Sequence, residues 1–375
     1  MERGRLFDLA EEAARLTADL EALVRLESPS EDPTRVSALA EWVGDRLRER
    51  GASAELRPCL PAGNALLARI GRDEGGTLLL GHLDTVWPAG TLAALPWRCE
   101  GGRAFGPGVF DMKAGIAVAL AVLGTLARTS PNPPAVSLLL VPDEETGSPH
   151  SRELTMDVAR RHRQVLVLEP SLHGAAKVAR KACGVFRAVF TGRAAHAGLE
   201  PERGASALVE MARFVLFLET VAAADAGTTL VAGRARAGSA VNVVPESAEV
   251  EVDARAWTRD EMERVTAALR RYRLEDARVT LTLDGGFDRP PLEPTAASES
   301  LYARARRLAG ELGFELGAAR VGGASDGNFT AAAGVPTLDG LGPRGDGAHS
   351  RDEHVLLDDL PRRAALVAGL CLPEA

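Results

Sequence analysis

Lysine is nearly absent from this chain. Lys113, Lys177 and Lys181 are the only three among 44 basic residues, which leaves 41 arginines. The bias reads as genome composition, and it makes each lysine worth locating. Basic charge is also outnumbered: 52 acids bring the formal charge to −8, which excludes a general binder of nucleic acid or of anionic membranes. Cysteine is scarce as well. Cys59, Cys99, Cys183 and Cys371 are far apart and form no C-x-x-C pair, which speaks against a disulfide framework or a thiolate zinc site. Long apolar runs are missing. The longest, residues 116–127 (IAVALAVLGTLA), is too short to span a bilayer and reads as a buried helix. The first twenty residues alternate charge and apolar side chains without an uninterrupted apolar segment, so no signal peptide is expected. There is no internal repeat and no low-complexity linker. These absences point to a soluble cytoplasmic protein.

The chain has 375 residues, 46% hydrophobic and 26% charged. That is globular composition, long enough for about two domains and for a full core without disulfide or metal staples. Residues 5–26 and 33–50 have helical periodicity. Short apolar runs of the buried-strand type follow at 77–80, 136–141 and 165–168, separated by helical stretches at 112–128 and 151–161. Strands alternating with helices predict an α/β fold with a mostly parallel sheet. The pattern then changes. Strand-like segments at 185–191, 228–233, 249–254 and 278–283 enclose helical segments at 204–223 and 259–273. That order, β-α-β-β-α-β, is ferredoxin-like. Helical periodicity returns at 296–312, and residues 335–338 look like a last short strand. The expected organisation is a larger domain, 1–182 and 289–375, holding a small inserted domain, 183–288.

Three of the buried strands end alike. The first runs into Gly81-His82-Leu83-Asp84, the second into Pro142-Asp143-Glu144-Glu145, the third into Glu169-Pro170. In open α/β sheets the functional crevice lies beyond the carboxyl ends of the strands. Two glycine-bearing loops, 106–113 with Asp111 and 347–350 with His349, can join them there. Imidazole and carboxylate without thiolate is a ligand set for zinc, cobalt or manganese. Period two puts His82 and Asp84 on one face if the strand continues, and Asp84 could then accept the second ring N–H of His82. Adjacent Glu144 and Glu145 point differently, so one can bind metal while the other faces a water. Asp111 could bridge two cations, or could simply cap the helix that follows. A solvated acidic turn at 144–145 and a plain strand-end acid at Glu169 are the alternatives. His150, His162, His173 and His354 have no comparable setting and read as surface or structural.

The runs GHLDTVWPAGT (81–91), GPGVFDMKAG (106–115), PDEETGS (142–148), LEPS (168–171) and GAHS (347–350) resemble, in order and spacing, the dinuclear zinc aminoacylase and carboxypeptidase family. That family includes glutamate carboxypeptidases, acetylornithine deacetylase, succinyl-diaminopimelate desuccinylase and aminoacylases. The resemblance implies two zinc ions, with cobalt or manganese as substitutes. His82, Asp111 and Glu169 would hold one, and Asp111, Glu145 and His349 the other. Asp111 and a hydroxide would bridge the metals, Glu144 would be the general base, and Asp84 would orient His82. It further implies a cis Asp111–Met112 peptide. The inserted domain would be a lid and dimerisation domain of a homodimer, with His196 as an oxyanion donor reaching the partner's site.

The implied reaction is hydrolysis of the amide bond in an N-acyl amino acid or small peptide bearing a free carboxylate. Arg289 matches the family arginine that binds that carboxylate, as a planar guanidinium suits it. Asn242 matches an asparagine near the carbonyl oxygen or carboxylate, and Lys177 a lysine that contacts a substrate acid group. The runs at 84–91 and 106–110 look like the glutamate carboxypeptidase branch. The loop Gly322-Gly-Ala-Ser-Asp326-Gly instead resembles the deacetylase and desuccinylase version, which keeps an acetylornithine deacetylase or succinyl-diaminopimelate desuccinylase as the alternative.

Overall fold

In the computed structural model, which describes residues 9–129 and 132–373, local sequence signals set most element boundaries. The first helix, α1 (Leu9–Arg25), buries Leu16, Leu20, Leu23 and Val24 at helical spacing; residues 5–8 of the predicted helix lie outside the described residues. Helix α2 (Pro33–Glu49) starts where the Asp32 carboxylate accepts the N–H of Arg35, with Pro33 in its first turn and arginines in its last. Those choices satisfy an orphan donor and complement the helix dipole.

Along the chain the strands of the two main sheets are β1 (Ser53–Pro58), β2 (Asn64–Ile70), β3 (Thr77–His82), β4 (Val136–Val141) and β5 (Gln164–Val167), then β6 (Ala182–Thr191), β7 (Thr229–Ala237), β8 (Ser247–Ala256) and β9 (Thr280–Arg289), and finally β10 (Thr337–Leu338). The further helices of eight residues or more are α3 (Ala114–Thr129), α4 (Arg152–Ala159), α5 (Ala207–Val221), α6 (Arg259–Arg270), α7 (Ala296–Glu311) and α8 (Asp359–Cys371). They form two compact units. The larger holds the described residues up to Val178 together with Pro294–Arg320 and Ser325 onward; the smaller is Ala179–Glu293 with Val321–Ala324.

In the larger unit the six-stranded sheet has the order β1-β2-β4-β3-β5-β10. The junctions β4/β3, β3/β5 and β5/β10 are parallel, while β1/β2 and β2/β4 are antiparallel. The sheet is therefore parallel where the functional crevice is expected and antiparallel at the β1 edge, which the sequence reading did not resolve. Every residue of β3 and β4 is buried, which is why both read as continuous apolar runs. The apolar stretch after Asp111 becomes α3. Its residues 114–126 are all buried, and it packs against α1, α2, α8 and the sheet, so its apolarity is spent on the core. Gly81 in β3 admits a close approach: a Cβ there would lie 2.4 Å from the Met112 methyl. The Met112 sulfur also accepts the His82 N–H at 3.3 Å, so this contact packs the Asp111 loop against the end of β3.

The smaller unit is an antiparallel sheet, β7-β8-β6-β9, the strand order of a ferredoxin-like fold. Its inward face puts Phe186, Phe190, Val250 and Val252 with Phe214 and Leu218 of α5 and Val265 and Leu269 of α6. Its outward face carries Arg187 and Arg236, both paired with Glu249.

Candidate metal centre

The register of β3 sets His82 opposite Val141 of β4 and Leu80 opposite Val167 of β5. Three neighbouring parallel strands thus release His82–Asp84, Asp143–Glu145 and Glu169 at one edge. His82 is buried. Its Nε2 lies 3.2 Å from Asp111 Oδ1 and 3.4 Å from Glu169 Oε1. The Nε2 of His349 lies 3.4 Å from Asp111 Oδ2 and 3.2 Å from Glu145 Oε1. Each Asp111 oxygen therefore meets a different imidazole. The ligand atoms of His82, Asp111 and Glu145 fall within 4.8 Å of one another, and so do those of His82, Glu144 and Glu169. These overlapping sets do not divide the donors in two, but the imidazole contacts do: His82 with Asp111 and Glu169, His349 with Asp111 and Glu145.

The Asp111–Met112 peptide is cis. His349 sits with φ of 62°, just after Gly347 at φ of 76°, a left-handed turn that is open to glycine and costly for most residues.

Asp84 acts differently from the sequence expectation. The nearer acceptor for His82 Nδ1 is the Asp84 backbone carbonyl, at 2.9 Å; the carboxylate stands at 3.4 Å. Its oxygens instead take the backbone N–H groups of Glu144 and Glu145, both at 3.1 Å, and the Ser30 hydroxyl at 2.7 Å. One buried aspartate therefore orders both, the histidine mainly through its carbonyl and the turn bearing the paired glutamates through its carboxylate. Spacing shows which face a side chain takes, not which of its atoms does the work.

Electrostatics follow from the crowding. Burial pushes the His82 imidazole down, but its hydrogen bonds to Asp111, Asp84 and Glu169 outweigh burial and leave it well above its usual value. His349 is raised to about 10 by Asp111 and Glu145. Burial pushes Asp111 up, and the two imidazoles more than reverse that. Glu145 stays raised by burial and by the Asp111 charge. With no metal bound, protons on the two raised imidazoles would compensate the acids. Divalent cations would replace those protons, and the mixed nitrogen and oxygen donor set fits zinc, cobalt or manganese.

The remaining candidates stand on other segments of the chain. Lys177 is in the larger unit, its backbone N–H donating to the Asp339 carbonyl at 2.8 Å. His196, Asn242 and Arg289 belong to the smaller unit. His196 and Asn242 are exposed on adjoining segments, joined where the Ala197 N–H donates to the Asn242 carbonyl at 2.9 Å. Arg289 is buried at the end of β9, in register with Cys183.

Sequence reasoning missed Glu353. It follows His349 by four residues inside Arg351-Asp352-Glu353, a charge run that resembles solvated surface. The residue is in fact only 2% exposed. Its place four residues after His349 was the only available signal. Lys113 is also buried: its ammonium donates to the Leu26 carbonyl at 2.7 Å, and burial lowers it to about 7 against the pull of Glu353 and Glu27.

A carboxylate-rich cluster with two imidazoles, set at the carboxyl edge of a parallel sheet, defines a metallohydrolase type of centre. Residues 78–372 match the peptidase family M20/M25/M40. The chain is 31% identical to carboxypeptidase G2 of Pseudomonas sp. (strain RS-16), over 98% of this chain and 91% of that protein. It is 30% identical to a succinyl-diaminopimelate desuccinylase of Methylorubrum extorquens, over 92% of this chain and 95% of that protein. The fold is shared with aminopeptidase PepT of Bacillus cereus ATCC 10987, at a TM-score of 0.81 and 21% identity over 96% of this chain and 98% of that one. The chain belongs to the M20/M25/M40 peptidase family and is a hydrolytic enzyme.

Proposed function

We propose that this enzyme cleaves the amide bond of N-acyl amino acids or small peptides that carry a free carboxylate, with the preference of a glutamate carboxypeptidase. The observation that carries the reading is Asp111, whose two oxygens face two different imidazoles. His82, Asp111 and Glu169 hold one metal ion, and Asp111, Glu145 and His349 the second; zinc is the expected metal, with cobalt or manganese able to use the same donors. When bound, the pair lowers the pKa of water and polarises the scissile carbonyl. Glu144 takes the proton from the attacking water and passes it to the leaving amine. Asp84 holds the Glu144–Glu145 turn and His82 in place. Arg289 takes the substrate carboxylate, Asn242 lies near its carbonyl or carboxylate, and Lys177 contacts an acid group of the substrate. The relation to carboxypeptidase G2 over nearly the whole chain supports this choice of substrate. The four cysteines are free thiols, which suits a reducing, cytoplasmic setting.

The test is a screen of the metal-reconstituted enzyme over N-acyl amino acids and peptides ending in glutamate, with and without chelator. Chelator-sensitive cleavage, fastest for the glutamate-ended peptides, is the expected result. Preference for N-succinyl or N-acetyl amino acids would favour the second reading, a desuccinylase or deacetylase, which the 30% identity to a desuccinylase supports. Two bound metals with no amide cleaved across the panel would sink both readings.

The inserted ferredoxin-like unit is proposed as lid and dimerisation domain, with His196 donating a hydrogen bond to the developing oxyanion in the partner's site. The enzyme is expected to scatter light as a dimer, and His196→Ala to lose mainly kcat. A fully active monomer would rule out the role in the partner's site.

A further inference from the structure

Glu353 has no part in the chemistry just described, yet it is among the best-connected side chains near it. Its Oε1 accepts the backbone N–H groups of Phe110 and Asp111, at 2.9 and 3.1 Å. Its Oε2 accepts the Gly108 N–H at 2.9 Å and the Trp87 indole N–H at 2.7 Å. All four donors come from the two segments that leave the metal centre: the one following His82, and the loop carrying Asp111. They are already in contact, since a Cβ on Gly108, which has φ of 70°, would stand 2.6 Å from the Thr85 methyl. Four N–H donors need four acceptor positions, and an ionised carboxylate is the side chain that offers them with no donor of its own. An amide of the same shape would turn an NH₂ toward two of those donors.

We propose that Glu353 is a positioning residue, whose carboxylate fixes the Gly108–Asp111 backbone and so aims the two Asp111 oxygens at two different ligand groups. This rests on reading Asp111 as the ligand shared by two metals. A side chain rotates about its own backbone, and a shared carboxylate has little tolerance: tilting the Asp111 peptide moves both oxygens together, improving one contact only by spoiling the other. Three of the four Glu353 bonds go to that loop's backbone, the Asp111 N–H among them. Outer partners of metal ligands typically command roughly 10–100-fold in metal affinity or activity.

The experiment uses the full chain as wild type, Glu353→Gln and Glu353→Asp, stripped and reloaded with zinc. Zinc affinity is read by chelator competition, zinc content by elemental analysis, and the melting temperature of the metal-free protein separately; kcat and KM are read on the substrate found in the panel. Glu353→Gln is expected to lose about 10–100-fold in affinity for the weaker zinc and to lower kcat with little change in KM. Glu353→Asp, which keeps an acceptor-only carboxylate one methylene shorter, should recover part of both. A folded Glu353→Gln with wild-type zinc affinity and kcat would overturn the proposal. So would variants whose melting temperature falls while affinity and kcat stay put, since that marks a loop staple with no influence on the ligands. Should Glu353→Gln fail to fold, Glu353→Asp decides by the same readings. Zinc affinity is read without substrate, so a wild type that binds two zinc ions but hydrolyses nothing would end the hydrolase reading and leave this test intact.

Discussion

Glu144→Ala is expected to keep both metal ions and to lose about 10³-fold in kcat, within the roughly 10²–10⁴-fold that a positioned general base supplies. The turn at Glu144–Thr146 is held from its backbone by Asp84, so removing the side chain leaves the turn its anchor. The Glu144 carboxylate stands within 4.8 Å of the ligand atoms of His82 and Glu169, a distance open to two uses. As a base, Glu144 faces the water that attacks, and its loss lowers kcat while metal content and KM stay close to wild type. As a third ligand beside His82 and Glu169, it would take metal with it when removed. Elemental analysis beside steady-state kinetics separates the two: full metal with crippled turnover is the expected pair. Loss of one metal ion would reassign Glu144 as a ligand, and unimpaired hydrolysis would remove it from the mechanism altogether. Glu144→Gln should behave like Glu144→Ala, because an amide holds the shape and takes no proton.

The parts of this centre that were legible in the sequence are those tied to the sheet. Thr77-Leu-Leu-Leu and Val136-Ser-Leu-Leu-Leu-Val are buried on both faces, so their apolarity is continuous and their polar ends stand out. His82, Glu144, Glu145 and Glu169 follow from that, and the structure gathers them with Asp111 and His349, which arrive on glycine-bearing loops. What escaped notice has short or mixed patterning. The edge strand β1 carries Glu55 and Arg57 and exposes one side to water, which blurs its signal, and its neighbour β2 breaks its apolar run with Arg69. Around the His349 loop, strands at Arg98–Glu100, Arg103–Phe105, Gly345–Asp346 and His354–Leu356 are two or three residues long, below the length at which any period shows. Glu353 escaped because burial reverses the meaning of a charge run. Between Asp352, which is exposed, and His354, it turns inward to four donors, and only the folded loop supplies those donors.

Asp111→Asn is expected to cost more than any outer-partner change, leaving at most one metal ion per chain and abolishing the rise in melting temperature that a second bound zinc brings. The substitution is nearly isosteric. It removes the negative charge and turns one oxygen into an NH₂, which can aim only a donor at a metal or at an imidazole. In the wild type each oxygen has its own imidazole, at 3.2 and 3.4 Å. The loss in zinc affinity should therefore exceed the roughly 10–100-fold typical of outer partners. The same variant changes the pH dependence, and the sign follows from the metal-free state. His349 is raised to about 10 there by Asp111 and Glu145, against an ordinary 6.5, and His82 is raised as well. A folded-state pKa above the unfolded one contributes stability below the unfolded value, here about 6.5, and that contribution disappears as pH climbs through about 10. Zinc needs the neutral imidazole, so binding near pH 7 must expel those protons, and apparent affinity should climb with pH up to about 10. Asp111→Asn lets His349 fall back toward its ordinary value, so fewer protons leave on binding and the climb flattens at lower pH. Calorimetry in buffers of different ionisation enthalpy counts those protons directly. An Asn variant that binds two zinc ions, with wild-type proton release and an unchanged thermal shift, would show that Asp111 is not the ligand the two metals share.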